Sequence, residues 1–292
     1  GAWIDDKRHG QGTFNRSDGS NYTGNWENDI KTGQGTKTWG PSTKFAGNSY
    51  AGEWQNNNPN GQGVYSYANG DQYTGAFVQA KLTGKGSYIY ANGDQYKGNF
   101  KDGRYNGEGT FTWSDDRKYT GGWKNSKRHG KGRYVDINGN IYVGEWSNDN
   151  KNGQGKLSFA DSGDTYIGQF ETDKQNGQGT YTYANGDEYT GAFKNNRFNG
   201  EGTFAWTDTQ KYVGLWKQDK RHGTGSYSFA NGNVYLGKWK DDQRNGTFTV
   251  TYGNGNTYVG ELKNSCFHGR GKFTFADGTV KQGLWKNCKL ID

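Results

Sequence analysis

Four histidines and two cysteines are the residues of this chain best suited to hold a metal or to carry acid–base or nucleophilic chemistry. Three of the histidines sit in one tetrapeptide, KRHG, at Lys7–Gly10, Lys127–Gly130 and Lys220–Gly223. The fourth, His268, sits in CFHG. A zinc site needs ligands converging at about 2.0–2.3 Å from the metal. Identical settings argue instead for a repeat, which would keep the histidines apart. Cys266 and Cys288 are too few for a disulfide framework and fit a reducing compartment. Gly-x-Gly recurs throughout, but without the strand–GxxxxGK[ST]–helix context of a phosphate loop. There is no Gly-x-Ser-x-Gly nucleophile elbow and no isolated carboxylate pair. These features predict neither catalytic activity nor a metal or cofactor.

The elements that would position such residues follow from composition and period. Of 292 residues, 29% are hydrophobic, 16% are aromatic and 50 are glycine. Disordered chains are poor in aromatics, so this mixture points to a repeated β structure whose apolar surface is nearly all ring. Tyr-x-Gly-x-Trp/Phe, or a close variant, opens at Tyr22, Tyr50, Tyr73, Tyr96, Tyr119, Tyr142, Tyr166, Tyr189, Tyr212, Tyr235 and Tyr258, mostly 23 residues apart. One continuous array over 1–292 is expected, with a partial unit at 1–21, full units opening at those tyrosines, and a partial unit at 281–292. The chain begins in mid-motif without a methionine, as a fragment would. With the opening tyrosine as position 0, glycine recurs at 2, 11, 13 and 20, and rings recur at 0, 4, 15 and 17. Lys281, Leu262, Phe248 and Asp136 depart from the pattern. A longer echo relates 97–130 to 190–223, shifted by 93 residues.

Alternation of ring or glycine with polar residues is the period of a strand, and Asn-Gly at positions 19 and 20 signals a hairpin. The pattern predicts an all-β, single-layer, twisted antiparallel sheet of 23-residue hairpins. In the expected register, position 4 opposes 11, 2 opposes 13 and 0 opposes 15. Two strands per unit advance by ~9.6 Å, so the array would form a ribbon ~110 Å long. His9 and His129 would then lie ~48 Å apart, too far to share a ligand. Cys266 and Cys288, on successive units, would exceed the roughly 7 Å Cα separation that a disulfide permits and stay free.

Units such as YTGAFKNNRFNGEGTFAWTD (189–208) and YVGLWKQDKRHGTGSYSFANGN (212–233) resemble MORN (membrane occupation and recognition nexus) repeats, and the resemblance covers essentially the whole chain. It implies an extended hairpin sheet serving as a cytoskeletal or ciliary scaffold, as in radial-spoke heads. It also implies protein partners: a second copy, or a helix laid in the groove. The resemblance therefore places the chain in the cytoplasm, on the cytoskeleton of a cilium or flagellum. Two features of the connection at positions 5–10 suggest contacts. Leu82, Tyr105, Phe198 and Phe267 are apolar interruptions and candidate partner contacts. Arg8, Lys81, Arg104, Lys127, Arg128, Lys174, Arg197, Lys220, Arg221 and Arg244 would line one edge as a basic rim for acidic protein tails or anionic lipid. A glycan-binding repeat is an alternative, since rings also stack on sugars. Nucleic acid is disfavoured despite the net charge of +7, because packing already explains the rings.

Overall fold

The computed structural model describes residues 1–292 and is all-β: 26 strands assigned to one antiparallel sheet. The strands cluster in two compact units, one of residues 1–139 with 145–150, the other of residues 140–144 with 151–292. Both are built from the same hairpin. In the first unit Lys118–Lys124 and Lys127–Val135 pair. In the second, Glu188–Lys194 and Arg197–Ala205 do.

The hairpin ends differ from expectation. Only two residues join the strands of a hairpin, Asn125–Ser126 (φ 51° and 63°) and Asn195–Asn196 (φ 51° and 65°) in these cases. Two left-handed residues are what a type I′ turn requires. The expected loop at positions 5–10 is therefore a turn at 6 and 7. KRHG opens a strand and is not a tip. At the other end the turn is longer. Tyr183 N–H donates to the Asp187 carbonyl and Gly186 N–H to the Tyr183 carbonyl, each at 2.9 Å, so Asn-Gly closes a five-residue connection.

The register is partly as expected. Tyr119 at position 0 opposes Tyr134 in its own hairpin and Phe111 in the preceding one. Gly121 opposes Gly132 and Gly109 in the same way. Position 4 opposes 11 only between hairpins, as Trp123 opposes Gly107. Within the hairpin a bulge sets Trp123 opposite Arg128 at position 9. The glycine at position 11 absorbs the extra residue in a left-handed conformation (Gly130, φ 71°).

The core lies on one face. Tyr119 lies flat over the facing glycines of its own hairpin, and a Cβ on Gly132 would overlap its ring. Its hydroxyl donates to the Gly122 carbonyl at 2.9 Å. Trp123 stands edge-on to this tyrosine (5.1 Å, 89°) and to Tyr96 of the preceding hairpin (5.5 Å, 89°). Its Nε1–H donates to the Gly109 carbonyl at 3.2 Å. The second unit repeats this: Trp216 meets Tyr212 at 5.1 Å and Tyr189 at 5.4 Å, and bonds the Gly202 carbonyl at 3.2 Å. These tyrosines are 0% exposed. It is thus the tyrosine, not the ring at position 4, that occupies the space left by glycine.

The departures repack without breaking the ladder. Phe248, standing for the second glycine, still opposes Gly237 and is buried against it. Tyr235 is displaced, and the Arg244 guanidinium lies 4.3 Å from its ring centroid. Leu262 is buried in place of tryptophan, and Lys281 is exposed in place of tyrosine.

The cysteines overturn their expectation. Cys266 and Cys288 are bridged, with Cα atoms 4.9 Å apart. Because 4 opposes 11 between hairpins, position 8 of one hairpin stands beside position 7 of the next. They are one strand apart, not one unit. Cys288 N–H donates to the Phe267 carbonyl at 3.1 Å across the same junction.

Two outcomes follow from this packing. Gly132→Ala should destabilise by about 1–3 kcal/mol through overpacking against Tyr119. Tyr119→Phe, which removes one hydrogen bond, should cost about 1 kcal/mol. Urea denaturation reads both, and a Gly132→Ala variant as stable as the parent would contradict the arrangement. Cys266→Ser/Cys288→Ser should lower stability by about 3 kcal/mol, the value for closing a loop of this length, with hydrogen-exchange protection lost first in residues 258–290.

Candidate aromatic grooves

Position 9, on the strand just after the two-residue turn, points onto the same face as the core tyrosine. Where it is aromatic it stacks on that ring: Tyr105 on Tyr96 (3.6 Å), Phe198 on Tyr189 (3.7 Å) and Phe267 on Tyr258 (3.8 Å). Tyr105 and Phe198 are thus buried strand residues rather than surface rings of a loop. Leu82, at the same position, is half-buried. The Tyr105 hydroxyl also bonds the Tyr90 hydroxyl.

Above this layer, the rings of positions 15 and 17 form a half-exposed ladder. Two grooves result, one within each compact unit. The first, about 560 Å³, is lined by Tyr88, Tyr90, Tyr105, Phe111, Trp113 and Trp123, with Arg128 and Asp149. The second, about 500 Å³, is lined by Tyr181, Tyr183, Phe198, Phe204, Trp206 and Trp216, with Arg221 and Asp242. Each residue of the second set stands 93 residues after its counterpart. Ring spacings also agree: Tyr88–Tyr90 4.6 Å against Tyr181–Tyr183 4.8 Å, and Phe111–Trp113 4.6 Å against Phe204–Trp206 4.4 Å. Seven tryptophans donate Nε1–H to a glycine carbonyl, all at position 4. Trp113 and Trp206 are not among them. Volumes of this size, walled by aromatic rings and carrying a few charged groups, are those of ligand and peptide sites. Burial raises the phenol pKa of the core tyrosines, to about 12 for Tyr73, Tyr166 and Tyr212.

The basic rim divides in two. Arg8, Arg128, Arg221 and Arg244, at position 9, lie on rings. The guanidinium carbons of Arg8, Arg128 and Arg221 are 4.0, 4.3 and 4.7 Å from the tryptophan centroids of the next hairpin. Those three also meet Asp29, Asp149 and Asp242 at 2.6, 3.4 and 2.9 Å. All three are packing members of the aromatic face, and Arg128 and Arg221 form part of the groove walls. Lys81, Arg104, Lys127, Lys174, Arg197 and Lys220, at position 8, alternate to the exposed side. Lys81 and Arg197 reach carboxylates of the next turn at 3.5 and 3.9 Å. The histidines at position 10 stay within separate hairpins, and no three His, Cys, Asp or Glu side chains converge.

Sequence reasoning missed the residues that join hairpin to hairpin. At position 7, Asp149 Oδ1 accepts the Arg128 N–H (2.9 Å), Asn196 Oδ1 that of Gln175 (2.8 Å) and Asp219 Oδ1 that of Phe198 (2.8 Å). At position 21, Asp71, Asp94 and Asp187 accept backbone N–H groups of the next turn at 2.8–2.9 Å. The signal was available. Position 7 is Asp, Asn or Ser in most units, and Ala80 stands there where the partner, Pro59, has no N–H to give.

A family model described as MORN repeat matches twelve segments between residues 1 and 280. No curated protein matches the chain significantly. Similar solved structures include the SAS-4 (dCPAP) TCP domain of Drosophila melanogaster in complex with a proline-rich motif of Ana2 (dSTIL), at 13% identity and TM-score 0.35. That likeness covers 61% of this chain and 90% of that one. A microcephaly protein CPAP G-box domain gives 9% identity and TM-score 0.36, covering 62% and 100%. Streptogramin B lyase gives 11% identity and TM-score 0.15, covering 97% and 85%. At these TM-scores the likenesses carry no argument about function. No helix is long and apolar enough to cross a membrane.

If position 9 is a packing position for either a ring or a paired arginine, the two solutions should be exchangeable. Tyr105→Ala should destabilise by about 3 kcal/mol. Tyr105→Arg with Ser126→Asp, which rebuilds the Arg128–Asp149 pair, should recover most of it. Denaturation midpoints of the two variants decide this; an equal loss would show that a ring is required.

Proposed function

This chain belongs to the MORN repeat family, and from that premise we propose that it is a non-enzymatic scaffold or adaptor holding protein partners on its aromatic face. MORN repeats generally serve as binding scaffolds for proteins or membranes. The observation that carries the reading here is the pair of matching grooves, one per compact unit, lined by the same residue types at a 93-residue interval. Half-exposed tyrosine and tryptophan are the anchors that protein interfaces favour. A duplicated site suits a partner that presents the same segment twice, or two copies of it. We assign the assembly to the cytoskeleton, and within it to the axoneme of a cilium or flagellum, because the chain is repeat throughout, as in the structural members it resembles.

Cross-linking mass spectrometry of the native assembly tests this. Partner cross-links through carboxylates should concentrate on Asp149 and Asp242, which line the grooves, and should be lost in Trp113→Ala/Trp206→Ala while the fold is kept. A chain that behaves as an inert monomer, or cross-links unaffected by both substitutions, would contradict it. The exposed position-8 cations support a second reading, a tether to acidic phospholipid. It would show as vesicle binding that falls steeply with salt and is insensitive to Trp113→Ala/Trp206→Ala.

A further inference from the structure

At one place the ring pattern is replaced by cations, although Lys37 itself still packs on a ring, its Nζ 4.5 Å from the Trp39 centroid. Positions 15 and 17 carry rings in most repeats, yet Arg16 stands at 17 in the first repeat and Lys37 at 15 in the second. The other exceptions are Val250 and the pair Asp136 and Leu157, which stand at 17 and 15 of successive repeats like Arg16 and Lys37, but none of these is a cation. Lys31, at position 9, lies on the same face, its Nζ 5.4, 5.7 and 5.5 Å from the ring centroids of Tyr22, Trp26 and Trp54. These three cations and Arg8 line a single cavity of about 340 Å³ together with Ser20, Asn21 and Asn57.

Lys31 is not compensated as Arg8, Arg128 and Arg221 are at the same position. Arg8 is answered by Asp29 at 2.6 Å, as Arg128 is by Asp149. The turn residue corresponding to Asp29 for Lys31 is Asn57. It accepts the Lys31 N–H at 2.9 Å but brings no charge. The salt bridges of the chain include none from Arg16, Lys31 or Lys37. Asp18, beside the cavity, attracts Arg16 and Lys37. Four cations against Asp29 and Asp18 leave an excess of two positive charges. Burial, then repulsion from Lys37, Arg16 and Arg8, pulls Lys31 down to about 8, and Lys37 is lowered by burial and Arg16. A packing position would hold a ring, and a paired cation would face a carboxylate. Arg16, Lys31 and Lys37 make no carboxylate ion pair within 4 Å, and Asp18 is the one carboxylate that attracts Arg16 and Lys37.

We propose that this cavity binds a phosphoryl-bearing anion, held by Arg16, Lys31 and Lys37. A dianionic phosphoryl group matches the excess of two charges, whereas a monocarboxylate would balance one. A guanidinium and two ammonium groups supply charge-assisted donors to its oxygens. The buried Ser20 hydroxyl accepts the Gly40 N–H at 3.0 Å and is itself hydrogen-bonded to the Asp18 carboxylate, so the cations and not this hydroxyl supply the donors. The site does not depend on the aromatic grooves or on the scaffold reading.

Isothermal titration of the full chain at low salt, with inorganic pyrophosphate as the probe and acetate as the control, tests the proposal. Pyrophosphate should bind saturably at one site and acetate should not. Arg16→Gln/Lys37→Gln should weaken binding by about tenfold or more, whereas Lys81→Gln/Lys174→Gln, removing exposed lysines elsewhere, should leave it within about twofold. Without ligand, Arg16→Gln/Lys37→Gln should melt no lower than the parent, because repulsion is relieved; this separates lost binding from lost folding. Sedimentation with phosphatidylcholine vesicles containing a phosphomonoester lipid identifies the source. Vesicle binding displaced by pyrophosphate and lost in the same variant assigns a lipid headgroup, and pyrophosphate binding without vesicle binding assigns a soluble phosphate. Absence of saturable binding, equal binding of acetate, or equal loss in both double variants would overturn the proposal.

Discussion

A tyrosine ring lying flat across two facing glycines is the contact on which this structure depends. A single-layer sheet has no second layer to bury its apolar face, so each hairpin must make its own interior. The glycines at positions 2 and 13 bring the ring down onto the backbone, and the next aromatic closes it edge-on. Tyr96, Tyr119, Tyr189 and Tyr212 are completely buried in this way although nothing covers the sheet. Glycine normally weakens a strand. Here its cost is offset by the burial of a large ring, which explains a chain so rich in both. Phe248 supports this from the opposite direction, because a ring at the glycine position displaces Tyr235 from its seat.

The rest of the face is built on that seat in tiers of decreasing constraint. Position 9 must cover the tyrosine but can do so with a ring, an aliphatic chain or an arginine held by the next turn. Positions 15 and 17 need only stack, so most of them are half-exposed. The variable tiers face solvent, and this is where the aromatic grooves and the cationic cavity lie. Structural demand and available surface are thus separated within each 23-residue unit, which lets one scaffold present different chemistry along its length.

The repeat, the strands, the two-residue alternation and the pairing of 0 with 15 and 2 with 13 were legible in the sequence, because periodic glycine and aromatic positions report them directly. The bulge was not, since nothing in the spacing distinguishes a left-handed glycine at position 11 from an extended one at 13. That one unseen residue hid the two-residue turn and the place of KRHG. Taking position 8 and the next position 7 as a unit apart, where they are a strand apart, hid the contact of Cys266 with Cys288. Tyr105 and Phe198 were recognisable as exceptions, but their exposure could not be read without knowing which face position 9 takes. The 93-residue echo was visible as similarity; only the ring geometry turned it into two matching grooves.

Hydroxyl-radical footprinting of side chains on the full chain, alone and in its native assembly, tests the central claim most directly. The account predicts lost oxidation at Tyr90 and Trp113 and again at Tyr183 and Trp206, the groove rings, with Ile89 and Val213, exposed on the opposite face, unchanged. Protection confined to Ile89 and Val213, or absent from both groove segments, would contradict it.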